Sequence, residues 1–169
     1  LQKNTKTNID KKLNDQINLI KSKLKKIKIK PNYNIDLNLN ENLKNLNKQF
    51  DQVKIKNIIH DINKNIIKDK NIRNFKLRYQ VITDLPSKEL RNIVDQGKKE
   101  IKEGIIIVFS TFEGKVGVSV GVSQNLTDKY DAVELVKEAA EILGGKGGGG
   151  RKDFAQAGGV NKDKIDEAF

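Results

Sequence analysis

The sequence has no cysteine, no methionine and no tryptophan, and in 169 residues it has one histidine and two prolines. Without cysteine it can build neither a disulfide framework nor a thiolate nucleophile. With His60 alone, no His-based metal cluster and no Ser-His-Asp triad can be assembled within the chain. His60 therefore reads as a structural residue on a helix. No apolar run approaches the roughly 20 residues of a membrane span, and no secretory signal is visible. The expectation is a cytoplasmic protein with no membrane partner. The lack of methionine, with Leu1 at the start, suggests a piece of a longer polypeptide. Aromatics are scarce, with 6 Phe and 3 Tyr, and most fall at core-like positions. Tyr130 and Phe154, beside expected loops, are the candidates for stacking on bases, with packing as the competing role.

Charge is plentiful but uneven. Residues 1–72 carry 17 Lys and no Arg against 7 acidic residues, 17 − 7 = +10. Residues 73–169 carry 16 basic and 15 acidic residues, 16 − 15 = +1. A basic arm on a near-neutral body suits a polyanion such as nucleic acid, or else is a solvated lysine-rich helix surface.

The arm shows helical spacing. Ile9, Leu13, Ile17, Ile20, Leu24 and Ile27 recur every three or four residues, and Pro31 is the expected stop. An Asn-rich connection follows. A second seam runs Leu39, Leu43, Leu46, Phe50, Val53, Ile55, Ile59, Ile62 and Ile66. The pair predicts an antiparallel helical hairpin of coiled-coil character over residues 1–72.

From residue 73 the period shortens to two. Phe75, Leu77, Tyr79 and Val81 alternate with polar residues, as in a half-buried strand. Ser87 is placed to cap a helix with Leu90, Ile93, Val94, Gly97 and Ile101 inward. "GIIIVFSTF" reads as a central strand, Glu113-Gly114 as a hairpin turn, and Val116 to Val122 as the return strand. That strand alternates valine with Gly117, Ser119 and Gly121, so its bare face should accept a closely packed element, expected to be the next helix. This helix runs from about Asp131 to Leu143, with Ala132, Leu135, Val136, Ala139 and Ile142 inward. The fold class is α+β: an arm over residues 1–72, then a globular domain over residues 73–169. The domain's order is β-α-β-β-α, glycine-rich loop, short strand, and a helix from about Lys162, around a mixed sheet.

The remaining feature is "GGKGGGGRKDFAQAGG", residues 144–159. Gly144 suits the C-terminal cap of the preceding helix. The P-loop pattern fails, because Gly147 follows Lys146 and Ala140 occupies the first glycine position. Gly145, Gly147 and Gly150 match G-x-G-x-x-G only formally, since the run follows a helix and not a strand. What remains is a loop whose bare main chain can approach an anion or a packed surface. The candidate RNA contacts are Gly145, Lys146, Gly147, Gly148, Gly149, Gly150, Arg151, Lys152, Asp153 and Gln156. The cations neutralise phosphate, Asp153 orients Arg151 or accepts from a ribose hydroxyl, and Gln156 both donates and accepts. The competing reading is that the glycines serve only helix–sheet packing.

This run closely resembles the signature GGxGGGRPDxAQAGG near the end of bacterial alanyl-tRNA synthetases. "GKVGVSVGVSQNLT" and "ELVKEAAEILGG" are also similar to that family's C-terminal, DHHA1-type domain, and the resemblance spans roughly residues 76–169. Two departures stand out: Lys152 replaces the family's proline, and the glycine run is one residue longer. The resemblance implies a non-catalytic module that grips the tRNA elbow, so that aminoacylation and editing act on one bound tRNA. It also implies the remaining synthetase domains as partners, and a surface that can support a homodimer. No cofactor is expected here, the ATP, Mg and Zn of the parent enzyme acting outside this chain. The alternative is the substrate-binding domain of a DHH-type nucleic-acid phosphoesterase, from whose GGGH-like element Arg151 departs.

Overall fold

The computed structural model describes residues 2–61 and 64–169, with backbone alone for residues 2–5. The chain divides into two compact units, Leu1–Asn57 and Ile58–Phe169. No helix among the described residues is long and apolar enough to cross a membrane.

In the first unit, α1 spans Gln2–Lys26 and α2 begins at Leu39, running to His60. Ile17, Ile20, Leu24 and Leu46 form its core, flanked by Ile29, Leu39, Leu43 and Phe50. The ends of the expected first stripe stay outside it: Ile9 is 54% and Ile27 42% exposed. The helix also stops earlier than Pro31. Lys28 turns left-handed at φ 58°, and the amides of Lys28 and Ile29 fold back onto the carbonyls of Lys25 and Leu24. The Asn-rich connection is organised by Asn42, which is fully buried. Its Nδ2 donates to the carbonyls of Asn34 and Leu37, and its Oδ1 accepts from the Asn34 amide. Asn38 Oδ1 accepts from the Glu41 amide at the start of α2, an N-cap contact.

The second unit is a six-stranded sheet in the order β1-β2-β3-β4-β6-β5, with β1 at Asn65–Ile72, β2 at Phe75–Thr83, β3 at Gly104–Phe112, β4 at Lys115–Val122, β5 at Gly148–Arg151 and β6 at Phe154–Gly159. Helix α3, Leu90–Ile101, connects β2 to β3, which run parallel; every other pairing is antiparallel. The sheet is mixed, as its strand–helix–strand–hairpin order requires. Glu113 and Gly114 turn the β3–β4 hairpin with both φ values positive, 49° and 76°. Helix α4 is Ala132–Ile142 and α5 is Ile165–Ala168. The core joins Val116, Val118, Val120 and Val122 to Ala132, Val136, Ala139 and Leu143, with Tyr79, Phe109 and Ile165.

Three expectations change here. Ile66 is not on the second helix: α2 ends at His60, and Ile66 lies in β1, paired in register with Val81. Ile62 lies outside the described residues. The sheet thus begins eight residues before position 73, and β1 escaped notice because it is an edge strand exposed along most of its length, without a buried face to imprint alternation. Ser87 caps nothing with its side chain; it opens a short 3₁₀ turn, Ser87–Glu89, that leads into α3. The helix on the bare face of β4 is the preceding one: Cβ atoms built on Gly117 and Gly121 would run into Ser87 and Leu90, and into Val94 and Lys98. The valine face receives α4.

Candidate nucleic-acid interface

The glycine-rich segment starts at a built helix end. The Asp131 carboxylate accepts from the Val133 amide at 2.8 Å and caps α4 at its N-terminus. At the other end Gly144 takes φ 73°, its amide reaches the Glu141 carbonyl at 3.1 Å, and the Gly145 amide reaches the Ala140 carbonyl at 2.7 Å. This is a Schellman closure, so Gly144 is the expected cap. The amides of Val160 and Asn161 both bond the Leu143 carbonyl at 2.9 Å, which draws the end of β6 against this turn. Gly145 then passes the Gly158 carbonyl so closely that a Cβ has no room.

The expected loop over Gly148–Arg151 is a strand. It pairs with β6 as Gly148↔Ala157, Gly149↔Gln156, Gly150↔Ala155 and Arg151↔Phe154. Lys152 and Asp153 make the turn between the two strands. Glycine carries no strand signal of its own, so the pairing is set by β6 and not by local preference. At the end of the strand order, β5 leaves one edge of its main chain outside the ladder. Within the run, Gly147 and Gly150 hold φ at 112° and 154°, and a Cβ on Gly148 would lie 2.5 Å from Ala157 Cβ. Gly149 has neither constraint: nothing lies within 4 Å of a Cβ built there.

Strand alternation puts Gly149, Gln156, Arg151 and Phe154 on one face of the hairpin, the face toward α3. Arg151 donates to Asp153 through Nε at 3.0 Å and Nη2 at 3.3 Å. The Arg151 hydrogen bonds hold the Asp153 carboxyl below the usual range, with the charges of Arg151 and Lys98 adding to the effect. Lys98 Nζ donates to the Asp153 carbonyl at 3.3 Å. The Arg91 guanidinium sits 5.0 Å from the centre of the Phe154 ring, a cation–π distance. Gln156 Nε2 donates to the Ser87 carbonyl at 2.9 Å, so its amide already has an intramolecular use. Lys146 and Lys152 are exposed, and their ammonium groups form no ion pair with a described residue, while the Lys152 carbonyl accepts from the Ala132 amide at 3.0 Å. Tyr130 packs edge-on against Phe75, with ring centres 5.3 Å apart, and is partly buried against the core.

The structure therefore gathers Gly149, Arg151, Asp153 and Gln156 and adds Arg91 and Lys98 to them. Arg91 and Lys98 are seven residues apart on α3, two helical turns, and that spacing beside Asp95 was readable in the sequence. Lys146 and Gly145 lie at the other end of the segment. Among the described residues, no group of three or more His, Cys, Asp or Glu side chains could hold a metal ion. The chemistry available on this face is that of binding: cations, main-chain edge and one partly covered aromatic ring.

Residues 74–169 match the model of the DHHA1 domain. The chain is 49% identical over 90 residues to an alanine–tRNA ligase of Hyphomonas neptunium, covering 53% of this chain and 10% of that protein. It is 47% identical over 95 residues to an alanine–tRNA ligase of Bradyrhizobium diazoefficiens, covering 56% of this chain and 11% of that protein. The chain thus spans about a tenth of the length of these relatives. Among solved structures, the C-Ala domain of Aquifex aeolicus alanyl-tRNA synthetase is similar with a TM-score of 0.56 and 38% identity, over 60% of this chain and 90% of that one. With the DHHA1 match covering more than half of its residues, the chain belongs to the DHHA1 domain family.

Proposed function

We infer that this chain is the tRNA-binding C-terminal part of an alanine–tRNA ligase. It grips the tRNA elbow and has no catalytic role of its own. The observation that carries the reading is the 38% identity over 90% of the Aquifex C-Ala domain. The face built by Gly149, Arg151 and Phe154 supports it chemically. Elbow recognition depends on shape, stacking and backbone contacts, for which an exposed strand edge and cations suffice. In this reading ATP, Mg and Zn act in the other domains of a cytoplasmic enzyme, which are this chain's covalent partners.

The test is binding of the full 169-residue chain to transcribed tRNA and to an isolated acceptor-stem hairpin, by fluorescence anisotropy at several salt concentrations. Elbow binding predicts at least tenfold tighter association with the whole tRNA and little preference among tRNA species. Equal affinity for hairpin and tRNA would remove the elbow from the account.

A further inference from the structure

At the opposite end of the strand order from the hairpin face, a cleft of about 210 Å³ opens between β1, β2, α3 and the last turn of α2, all within the second unit. Arg78 and Gln80 reach it from one face of β2, and Ile67 of β1 pairs in register with Gln80. The helices add Ile59 from α2 and Ile93 from α3. Gln80 is 4% exposed. Its Nε2 donates to Asn65 Oδ1 at 2.9 Å, but its Oε1 accepts from no described residue. Buried polar side-chain atoms are mostly paired, so this carbonyl is one half of a missing contact. The oxygen is not sealed inside the packing, as the orphan hydroxyls of Ser110 and Ser119 are.

Arg78 supplies the complement. Three of its five donors go to Asp69 and Glu100, through Nε, Nη1 and Nη2, and the other two have no described acceptor. Its charge is matched by those two carboxylates, which leaves no surplus cation for a phosphate. An unspent acceptor beside unspent donors, in a charge-balanced cleft flanked by isoleucines, suits a flat neutral ring with donors and acceptors on one edge. We propose that the cleft binds a nucleobase, whose edge donates to Gln80 Oε1 and accepts from Arg78 while its faces lie against Ile59, Ile67 and Ile93. The volume falls below the roughly 300 Å³ where sites for drug-sized ligands begin, and so suits a base more than a whole nucleotide. The base belongs either to a free nucleoside or to an RNA from whose stack it is turned out. In the second case the site rests on the tRNA reading and gives it a contact that reads a base.

The experiment titrates the ¹⁵N-labelled full chain with the four ribonucleosides, with inorganic phosphate and with transcribed tRNA. The expected result is saturable shifts at the amides of residues 59–60, 65–67, 78–80 and 93–97 with at least one nucleoside, and none there with phosphate. Gln80→Leu removes the acceptor and should weaken nucleoside binding at least tenfold. It also unpairs Asn65, so Ile67→Ala is the second variant: it keeps every one of these hydrogen bonds, trims one flank, and should weaken binding about threefold with the melting temperature little changed. Absence of saturable shifts with all four nucleosides overturns the site. So does unchanged nucleoside affinity in both variants, or phosphate moving the same amides. If tRNA moves these amides and both variants weaken tRNA binding, the base is one of RNA. If nucleosides bind while tRNA leaves these amides unmoved, the ligand is a free nucleoside. Nucleoside binding by a chain without tRNA affinity would leave the cleft and remove the elbow reading; tRNA binding without nucleoside shifts would do the reverse.

Discussion

Gly149 is the residue of the Gly147–Gly150 run that the fold would let carry a side chain. Its neighbours are fixed for internal reasons: Gly150 by its φ of 154° and by the Phe154 carbonyl, Gly148 by Ala157. Gly150→Ala should therefore cost about 1–3 kcal/mol, the range for a side chain forced into a sparsely populated backbone region. Gly149→Ala should be neutral or stabilise by about 0.5 kcal/mol, because it removes freedom from the unfolded chain. Thermal melts of both variants check this. Gly149→Val then tests the interface cleanly. If RNA backbone comes within contact distance of this strand, affinity falls with stability intact; wild-type affinity would mean that no ligand reaches it. Substituting Gly148 cannot serve this purpose, since the variant strains the hairpin first. The cations of the site were legible as residue types in the sequence. The division of labour among the glycines was not, because it depends on what a Cβ would meet across the β5–β6 ladder.

At the scale of elements, β1 is the piece that periodicity hid. Its spacing from Ile59 to Ile66 mimics a helix stripe, and only pairing with β2 makes it a strand. The other strands were readable because one face of each is buried and a two-residue period follows. β1 is tied down by Arg78 on β2. The guanidinium donates to Asp69 at 2.8 Å and 2.9 Å and, through Nη1, to Glu100 on α3. The Arg78 side chain is only 11% exposed, so losing it strands two carboxylates around a part-buried position. Arg78→Ala should lower stability by about 2 kcal/mol, the worth of charged hydrogen bonds in such a setting. The same hydrogen bonds hold the Asp69 and Glu100 carboxyls below their usual ranges. A depressed folded-state pKa stabilises above the unfolded value, so this contribution is present above about pH 4–5 and is lost as pH falls through the carboxylate range. Melting curves from pH 7 to 3 should show wild type losing more stability than Arg78→Ala. A fragment beginning at Ile58 keeps the network and should melt cooperatively. One beginning at Arg73 removes β1 with Asp69 and should melt measurably lower; equal melting of the two fragments would show β1 to be dispensable.

For the whole molecule the governing asymmetry is electrostatic. The unit Ile58–Phe169, which holds the sheet and the hairpin face, carries 19 basic and 17 acidic residues, 19 − 17 = +2, while residues 1–57 carry 14 Lys against 5 acidic residues, 14 − 5 = +9. Nothing in the first unit's core requires that charge: it rests on Ile17, Ile20, Leu24 and Leu46, and most of its lysines are exposed. A solubilising surface needs net charge but not of one sign, whereas a polyanion partner needs cations. Counterion release separates the two, because each phosphate neutralised steepens the log–log salt dependence by roughly 0.7–0.9. The full chain and a fragment starting at Ile58 should both bind tRNA, with the full chain's slope steeper by at least about 2. Anisotropy titrations from 50 to 300 mM salt measure both slopes on the same tRNA. Identical slopes would assign the arm's lysines to solvent and leave RNA binding to the globular unit alone. A steeper slope, persisting when Arg151→Ala is introduced into both proteins, would make the arm a separate contact whose contribution adds to that of the hairpin face.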